Sequence, residues 1–293
     1  MKTYSRSMDV LRYAAFTDDP RGGNPAGVVL DASGASDAGM QALAARVGYS
    51  ETAFVVARDG ARLEVRYFSP LAEVPFCGHA TIAAAVADAE RHGTRTLEIS
   101  TRAGTIQVTT GKVGTTTTAT LTSVPPTTVS LATADLASIL ATLGWDESDL
   151  AAGLPPRVAY GGAWHPVLGV SSRSRLAELD YDMPTLASLM AERGWTTLDL
   201  VWRESDTVFH CRNPFPPGGV FEDPATGAAA AAFGGYLRDL GLVETPTTLT
   251  IHQGDDMGRP GVLTVHIPSE PGSGIRVSGS AIALPPGNRS MAP

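Results

Sequence analysis

An eight-residue pattern that occurs twice constrains the fold of this chain more than any other feature. The segments EVPFCGHA at 73–80 and EDPATGAA at 222–229 share the pattern E-x-P-x-[C/T]-G-x-A. They lie 149 residues apart (222 − 73), which is about half of the 293-residue chain. Both copies run into an alanine-rich stretch that ends in glycine, as helices commonly do. The repetition predicts two similar domains.

The sequence around each copy is repeated in the same order. RYFSP at 66–70 precedes the first copy and RNPFP at 212–216 precedes the second. LEIS at 97–100 and LTIH at 249–252 follow them, each before a glycine turn and another strand-like run. Each half is therefore predicted to contain a strand, a loop, a buried helix, a strand, a turn and a strand. Because alanine permits close approach on every side, we expect a sheet that curls around a central helix.

The remaining sequence is rich in strand signals and contains few helix signals. Short β-branched runs bounded by Gly, Pro or Asp are typical of strands. These runs are LEVRYF, TLEIS, TIQVTT, ATLTSV, DLVWRE, TLTIHQ, LTVHIP and IRVSGSAIAL. Helices are expected at 37–47, 81–92, about 134–144, 185–193 and 227–240. Ser36 and Thr133 are expected to cap two of these helices.

The predicted domain boundary lies near SVPPTT at 123–128, where two prolines end a strand. The N-terminal domain is accordingly predicted to comprise residues 1–126 and the C-terminal domain residues 127–293. The last strand is a candidate to pack back on the first domain.

Composition and charge exclude several classes of partner and site. A formal net charge of −8 argues against nucleic-acid binding, which needs a basic face. The sequence contains no secretory leader and no run of roughly eighteen apolar residues, so we expect a cytoplasmic protein without a membrane partner. Two cysteines, Cys77 and Cys211, exclude a disulfide framework and a Cys-rich zinc site. Scattered histidines and the lack of nucleotide motifs predict neither a metal nor a cofactor.

The glycine of each copy is expected to begin a helix. Gly78 and Gly227 would let a ligand approach the backbone closely, and the free N–H groups of a first helical turn favour an anion. Tight packing of a helix start explains a single copy equally well. The duplication favours a site at the junction of the two domains that holds a small carboxylate.

Three ionisable side chains near these blocks are candidates for proton transfer. His79 would lie in the first turn of its helix, although a lone histidine is usually structural. Asp223 lies three residues before Thr226, and the sequence leaves open whether it caps the second helix or contacts substrate. Glu51, in YSETAFVV at 49–56, is expected to be half-buried at a strand start, which suits a general acid or base. By itself, such a glutamate is more often an ordinary edge charge.

Five stretches together resemble the successive signature blocks of a known family. They are FTDDPRGGNPAGVVL, SETAFVV, RYFSPLAEVPFCGHATIAAA, FEDPATGAAAA and QGDDMGRPG. The resemblance, which spans nearly the whole chain, is to the PhzF-like family of phenazine-biosynthesis isomerases, which share the diaminopimelate epimerase fold. It implies an α+β protein with two pseudo-symmetric domains, each a mostly antiparallel β-barrel around a central helix. It also implies a site in the cleft, no cofactor and a homodimer.

The resemblance implies roles for individual residues. The family's catalytic glutamate falls on Glu51, and His79 and Asp223 are the further catalytic candidates. The predicted substrate-binding residues are Asn24, Ser69, Cys77, Gly78, Thr226, Gly227 and Ala228. Family members typically carry a serine where this chain has Ala228, so one hydrogen-bonding group is missing. The implied function is a cofactor-independent isomerase of secondary metabolism that moves a proton between carbons of a small carboxylate-bearing metabolite.

Two alternatives to a Glu51 isomerase remain. A two-thiol amino-acid racemase or epimerase of the same fold needs a thiolate on each face of the α-carbon. Cys77 fits one position, but Thr226 occupies the other and Cys211 lies outside the block, which argues against this chemistry. A non-catalytic small-molecule-binding homologue is favoured by the missing serine at 228 and opposed by the retained acid/base residues.

Overall fold

The computed structural model describes residues 8–285, which belong to two compact units. Among the described residues, the first unit contains 8–20, 25–121 and 280–285. The second unit contains residues 21–24 and 122–279. These units are defined by compactness, so the predicted domain boundary near residue 126 stays a prediction.

The secondary structure consists mainly of short strands. The strands are β1 (Leu11–Ala15), β2 (Asn24–Val29), β3 (Glu51–Asp59), β4 (Arg62–Phe68), β5 (Glu73–Val74), β6 (Thr96–Thr101), β7 (Gly104–Val113), β8 (Thr116–Thr122), β9 (Thr127–Ser130), β10 (Arg157–Tyr160), β11 (Trp164–Gly169), β12 (Asp199–Arg203), β13 (Val208–Pro214), β14 (Glu222–Asp223), β15 (Thr247–Gln253), β16 (Gly261–Ile267) and β17 (Arg276–Ala283). The helices are α1 (Asp37–Val47), α2 (Gly78–His92), α3 (Thr133–Leu143), α4 (Arg173–Ala177), α5 (Met183–Arg193) and α6 (Gly227–Asp239). All eight predicted strand-like runs are confirmed.

The first unit is a closed barrel. Its strands pair in the order β1, β2, β3, β4, β6, β7, β8 and β17, and β17 pairs with β1 to complete the circle. The β2–β3 and β4–β6 pairs have parallel registers, whereas β3–β4, β6–β7, β7–β8 and β1–β17 are antiparallel. The mostly antiparallel barrel expected from the sequence is confirmed.

The second unit repeats the order of the first. Strand β11 pairs in parallel with β12 as β2 does with β3, and β13 pairs in parallel with β15 as β4 does with β6. A two-residue strand, β5 or β14, precedes the helix that joins each of the latter pairs. The pseudo-symmetry predicted from the repeated blocks is confirmed.

Helices α2 and α6 are buried on nearly every side because small residues cover them. The residues of α2 from His79 to Ala89 are all buried, and α6 buries ten residues, most of them alanine or glycine. The side chain of Asp88 is 1% exposed and contacts Arg58, Arg95 and His92 at 2.6, 2.7 and 3.0 Å, so its buried charge is compensated.

Each unit has a second apolar layer outside its central helix. In the first unit, α1 buries Met40, Leu43, Ala44 and Val47 against β2, β3 and β4 side chains. In the second unit, α3, α4 and α5 form a larger cluster with β10, β11 and β12. Between residues 8 and 285, no helix combines the length and apolar character needed to cross a membrane.

One of the two predicted helix caps is confirmed, and one short helix was not predicted. The Ser36 hydroxyl accepts a hydrogen bond from the Gly39 N–H at 3.1 Å, so the predicted cap of α1 is confirmed. The predicted cap at Thr133 is wrong because Thr133 is already helical and Ala132, which has no capping side chain, is the N-cap residue. The five-residue helix α4 was missed because it is too short to show a helical period.

Candidate active site

Glu51, Cys77 and His79 lie together in the first unit. Glu51 begins β3, Cys77 precedes α2, and His79 is the second residue of α2. The Glu51 Oε2 atom lies 3.4 Å from His79 Nε2 and 3.5 Å from Cys77 Sγ. The side chains of Glu51 and His79 are 14% and 7% exposed. The prediction of a half-buried glutamate at a strand start is therefore confirmed.

Both ring nitrogens of His79 have neighbours. Nε2 lies 3.3 Å from the Ser50 hydroxyl in addition to the Glu51 carboxylate, and Nδ1 lies 3.4 Å from Cys77 Sγ. A neutral imidazole donates through one nitrogen and accepts through the other. The ring can thus donate to Glu51 while it accepts from the thiol, and the cluster can redistribute a proton without backbone movement.

An ion pair holds the loop before α2. The Arg66 guanidinium donates to both carboxylate oxygens of Glu73 at 2.7 Å, and Arg102 donates to the same carboxylate at 2.5 Å. These cations hold the pKa of Glu73 below its usual range. Glu73 is the first residue of the repeated motif, so the pair fixes the start of the loop that presents Cys77.

The second copy of the motif has the same pair in a more buried setting. Arg212 donates to the two carboxylate oxygens of Glu222 at 2.9 and 2.5 Å, and its side chain is 9% exposed. Burial raises the pKa of Glu222 despite the opposing effect of Arg212. The buried carboxylate at the second helix start is therefore compensated by this arginine. Neither arginine was predicted as a site residue, although each occupies the first position of the block that precedes its motif.

Asp223 lies at the centre of a hydrogen-bond network in the second unit. It accepts from the Asn24 amide at 2.7 Å and from the Thr226 hydroxyl at 2.5 Å. The Asn24 amide also donates to the carbonyl of Ala225 at 3.0 Å. Two predicted substrate-binding residues, Asn24 and Thr226, are thus brought to the predicted catalytic aspartate.

Gln253 completes this network and was not predicted. Its amide donates to the Asp223 carbonyl at 2.8 Å and to the Thr226 hydroxyl at 3.0 Å, and its oxygen accepts from the Thr226 N–H at 3.1 Å. Gln253 ends β15 and is 2% exposed. Its position as the first residue of the QGDDMGRPG block was the signal that could have found it.

The other predicted site residues have more local settings. The Ser69 hydroxyl closes a turn, since it accepts from the Ala72 N–H and donates to the Ala72 carbonyl, both at 3.0 Å. Gly78 and Gly227 are the first residues of α2 and α6, as expected. Ala228 follows Gly227 and is half-buried. Their roles in substrate binding stay predictions.

The fold and the cluster at Glu51 define a class of protein. Two mostly antiparallel barrels, each around a central helix, constitute the diaminopimelate epimerase-like fold. The family model described as phenazine biosynthesis-like protein matches residues 13–287. The chain therefore belongs to the PhzF-like family, and it is an enzyme of the isomerase class.

Individual relatives agree with this membership. The chain is 31% identical over 288 residues to the uncharacterized isomerase YfhB of Bacillus subtilis, covering 95% of this chain and 97% of the relative. It is 30% identical over 253 residues to the trans-2,3-dihydro-3-hydroxyanthranilate isomerase of Pseudomonas fluorescens, covering 85% and 86% of the two chains. The solved structure of a PhzF-family phenazine biosynthesis protein from Bacillus anthracis matches with a TM-score of 0.86 and 27% identity, covering 95% and 97%.

Proposed function

We propose that this isomerase moves a proton between two carbons of a small carboxylate-bearing metabolite of secondary metabolism, without a cofactor. Glu51 is the general acid and base. The single observation that carries the proposal is the position of its carboxylate, which is 14% exposed and lies 3.4 Å from an imidazole at the start of a buried helix. The name of the Pseudomonas fluorescens relative, a dihydro-hydroxyanthranilate isomerase, supports the substrate class.

The proposed reaction uses one carboxylate twice. The Glu51 carboxylate removes a proton from an activated carbon of the substrate, and the resulting carboxylic acid returns a proton to another carbon. The substrate is neither oxidised nor reduced. His79 hydrogen-bonds the glutamate in both states because its ring can donate or accept. A positioned acid or base of this kind typically contributes 10²- to 10⁴-fold in rate.

The proposal assigns the substrate carboxylate to backbone N–H groups at the start of α2. The first-turn N–H groups of this helix have no acceptor within the helix, and the helix dipole favours an anion there. Gly78, the first residue of α2, has no side chain and is half-buried. Asp223, oriented by Asn24 and Thr226, is proposed to orient the substrate or to assist the proton transfer.

Solvent exchange tests the role of Glu51. The protein is incubated in D₂O with trans-2,3-dihydro-3-hydroxyanthranilate and with other cyclic or unsaturated amino acids, and deuterium incorporation is followed by NMR. Glu51→Gln is expected to lower enzyme-dependent exchange at least 100-fold. Glu98→Gln is the control, since Glu98 is another strand glutamate of the first unit; its side chain is 46% exposed and pairs with Arg62.

Three outcomes contradict the proposal. Exchange that persists in Glu51→Gln removes the glutamate from the mechanism. An equal loss in Glu98→Gln assigns the effect to destabilisation. Absence of exchange with every candidate favours the non-catalytic binding protein.

The same exchange assay distinguishes the Glu51 mechanism from that of a two-thiol racemase. Thr226 immediately precedes α6, where Cys77 precedes α2, and its hydroxyl donates to Asp223 at 2.5 Å. A two-thiol mechanism would lose all exchange in Cys77→Ala. The Glu51 mechanism is expected to retain exchange in this variant, because the thiol does not carry the transferred proton.

A further inference from the structure

We propose that Gln253 is a positioning residue of the active site. It fixes the hydroxyl of Thr226 as a hydrogen-bond donor to Asp223 and thereby holds the Asp223 carboxylate in one orientation. The positioning rests on geometry alone. Its effect on the reaction rate rests on the proposed function, in which Asp223 orients the substrate or assists the proton transfer.

The hydrogen bonds of Gln253 admit a single orientation of its side-chain amide. The amide oxygen accepts from the Thr226 N–H at 3.1 Å, and the nitrogen donates to the Asp223 carbonyl at 2.8 Å and to the Thr226 hydroxyl at 3.0 Å. A flipped amide would point its N–H groups at another donor and its oxygen at another acceptor. Both amide hydrogens and the oxygen are therefore used, in a residue that is 2% exposed.

The amide in turn decides the direction of the Thr226 hydroxyl. A hydroxyl has one hydrogen to donate, and its oxygen can also accept. Because Gln253 donates to this oxygen, the hydrogen is left for the Asp223 carboxylate, whose Oδ2 atom lies 2.5 Å away. A hydroxyl that accepts one hydrogen bond is polarised, which strengthens the bond that it donates. Asn24 donates to the other carboxylate oxygen at 2.7 Å, so both oxygens are held.

Strand register brings Gln253 to the motif. Strand β13 pairs with β15 through Cys211 and Gln253, and with β14 two residues further along, where Asp223 lies. The next residue after β15, Gly254, has a φ of +87°, and a Cβ there would lie 2.7 Å from the Pro224 carbonyl oxygen. Glycine therefore lets the end of β15 approach the motif loop closely.

The first half of the chain forms the same loop and helix start without an equivalent glutamine. Glu98 and Thr250 each pair with the residue four places before the equivalent arginines of β4 and β13, so Thr101 corresponds to Gln253. The Thr101 hydroxyl closes a local turn instead, since it donates to the Gly104 carbonyl at 2.8 Å. A glutamine at this position is therefore not required by the fold of the motif.

The polar partners of the glutamine are replaced together with it in the first copy. Val74 stands where the second copy has Asp223, and Cys77 stands in place of Thr226. Since all three polar groups occur in the second copy and none in the first, we infer that the glutamine serves the aspartate and the threonine.

Threonine methyl NMR tests the positioning without substrate. Full-length protein is labelled with ¹³C at the threonine methyl groups, and the Thr226 resonance is identified by its loss in Thr226→Val. In the wild type we expect Thr226 to occupy one side-chain rotamer. In Gln253→Met, which keeps the length of the side chain but donates no hydrogen bond, we expect a shifted resonance and averaging over rotamers.

Two further variants complete the NMR experiment. Gln253→Asn, whose amide is one methylene short of the hydroxyl, is a second variant with the same expected result as Gln253→Met. Leu249→Ala removes a fully buried side chain from the same face of β15 and is the control for destabilisation. It is expected to leave the Thr226 rotamer unchanged.

Deuterium exchange tests the effect on the rate. Gln253→Met is expected to lower enzyme-dependent exchange about 10- to 100-fold, since a displacement of about 1 Å can cost about 10²-fold. In a Thr226→Val background the same substitution is expected to cost at most about 3-fold, because the hydroxyl through which Gln253 acts is absent. Thr226→Ser keeps the hydroxyl, so the full effect of Gln253→Met is expected in that background. A glutamine with only a structural role would slow exchange by the same factor in all three backgrounds.

The outcomes for the positioning and for catalysis are distinguishable. A Thr226 side chain that is averaged in the wild type, unchanged in Gln253→Met and Gln253→Asn, or averaged equally in Leu249→Ala overturns the positioning. Equal losses of exchange in the wild-type and Thr226→Val backgrounds overturn the action through Thr226. A protein that exchanges no substrate proton contradicts the proposed function, and the rotamer measurement then decides the positioning by itself.

Discussion

Asp199 offers a quantitative test of how burial controls the stability of the second unit. This first residue of β12 is 1% exposed, and burial raises the pKa of its carboxyl from 3.8 to about 7. Asn213 donates to Oδ1 at 3.3 Å, and the buried thiol of Cys211 is a further partner of the carboxyl. Between these pKa values the folded protein holds a proton that the unfolded chain has lost. Stability from this group therefore falls as pH rises from about 4 to 7, by about 4 kcal/mol in total.

His165 has the opposite effect in the same unit. It is fully buried, its Nδ1 lies 2.8 Å from the Thr197 hydroxyl, and burial lowers its pKa from 6.5 to about 4. Here the unfolded chain binds the extra proton, so stability rises with pH by about 3 kcal/mol over this range. The two contributions nearly cancel in the wild type.

The substitution Asp199→Asn removes the contribution of Asp199 to the pH dependence of stability and keeps that of His165. At pH 4 the variant and the wild type are expected to have similar stability, because both carry a neutral side chain. By pH 7 the variant is expected to have gained about 4 kcal/mol relative to the wild type. His165→Gln is the control of opposite sign, since its stability relative to the wild type is expected to decrease by about 3 kcal/mol between pH 4 and 6.5.

Urea denaturation followed by tryptophan fluorescence measures this difference. All four tryptophans belong to the second unit, which also contains Asp199. They are Trp145, Trp164, Trp195 and Trp202. Parallel stability curves for the wild type and Asp199→Asn across pH 4–8 would refute the reasoning, because a carboxyl with an unshifted pKa gives no such difference.

Two further predictions concern packing. Arg212→Met leaves Glu222 buried without its cation and is expected to cost about 3–5 kcal/mol in urea denaturation. The equivalent change at the more exposed Arg66 is expected to cost about 1 kcal/mol, and equal losses would contradict the role of burial. A Cβ at Gly161 would lie 2.5 Å from a backbone nitrogen of α6, so Gly161→Ala is expected to lower the melting temperature. Gly153→Ala, which meets no atom within 4 Å, should not, and a similar loss in both variants would argue against the steric explanation.

The architecture could be predicted because two similar sequence blocks far apart in the chain indicate two similarly folded domains. The two copies of the motif located α2 and α6, and the flanking blocks located the strands on either side. Gly78 and Gly227 begin their helices as the pattern required. Alternation and turn residues then sufficed for strands that have one buried face.

The sequence could not predict which side chains meet. Arg66 and Glu73 are seven residues apart, but their contact depends on the antiparallel pairing of β4 with β5, which no periodicity encodes. Gln253 reaches Asp223 from 30 residues away because β15 lies beside β13. The error at Thr133 has a local cause, since two neighbouring residues compete for the N-cap position and backbone dihedral angles decide between them.

Strand register shows which residues of the two halves correspond. Arg66 pairs with a residue of β3 three places after Glu51. Arg212 pairs with a residue of β12 three places after Thr197. Since these arginines occupy equivalent positions, Thr197 of the second half corresponds to Glu51 of the first. The hydroxyl of Thr197 contacts His165 at 2.8 Å and has no carboxylate chemistry to offer.

The other members of the Glu51 cluster have also diverged between the halves. Cys77 corresponds to Thr226, the residue before α6, and His79 corresponds to Ala228, the second residue of that helix. The three positions of the Glu51 cluster therefore carry an alcohol or a methyl group in the second copy. A mechanism that used the same three groups from each half would need them at these positions. The divergence favours a mechanism in which a single base, Glu51, both removes the proton and returns it.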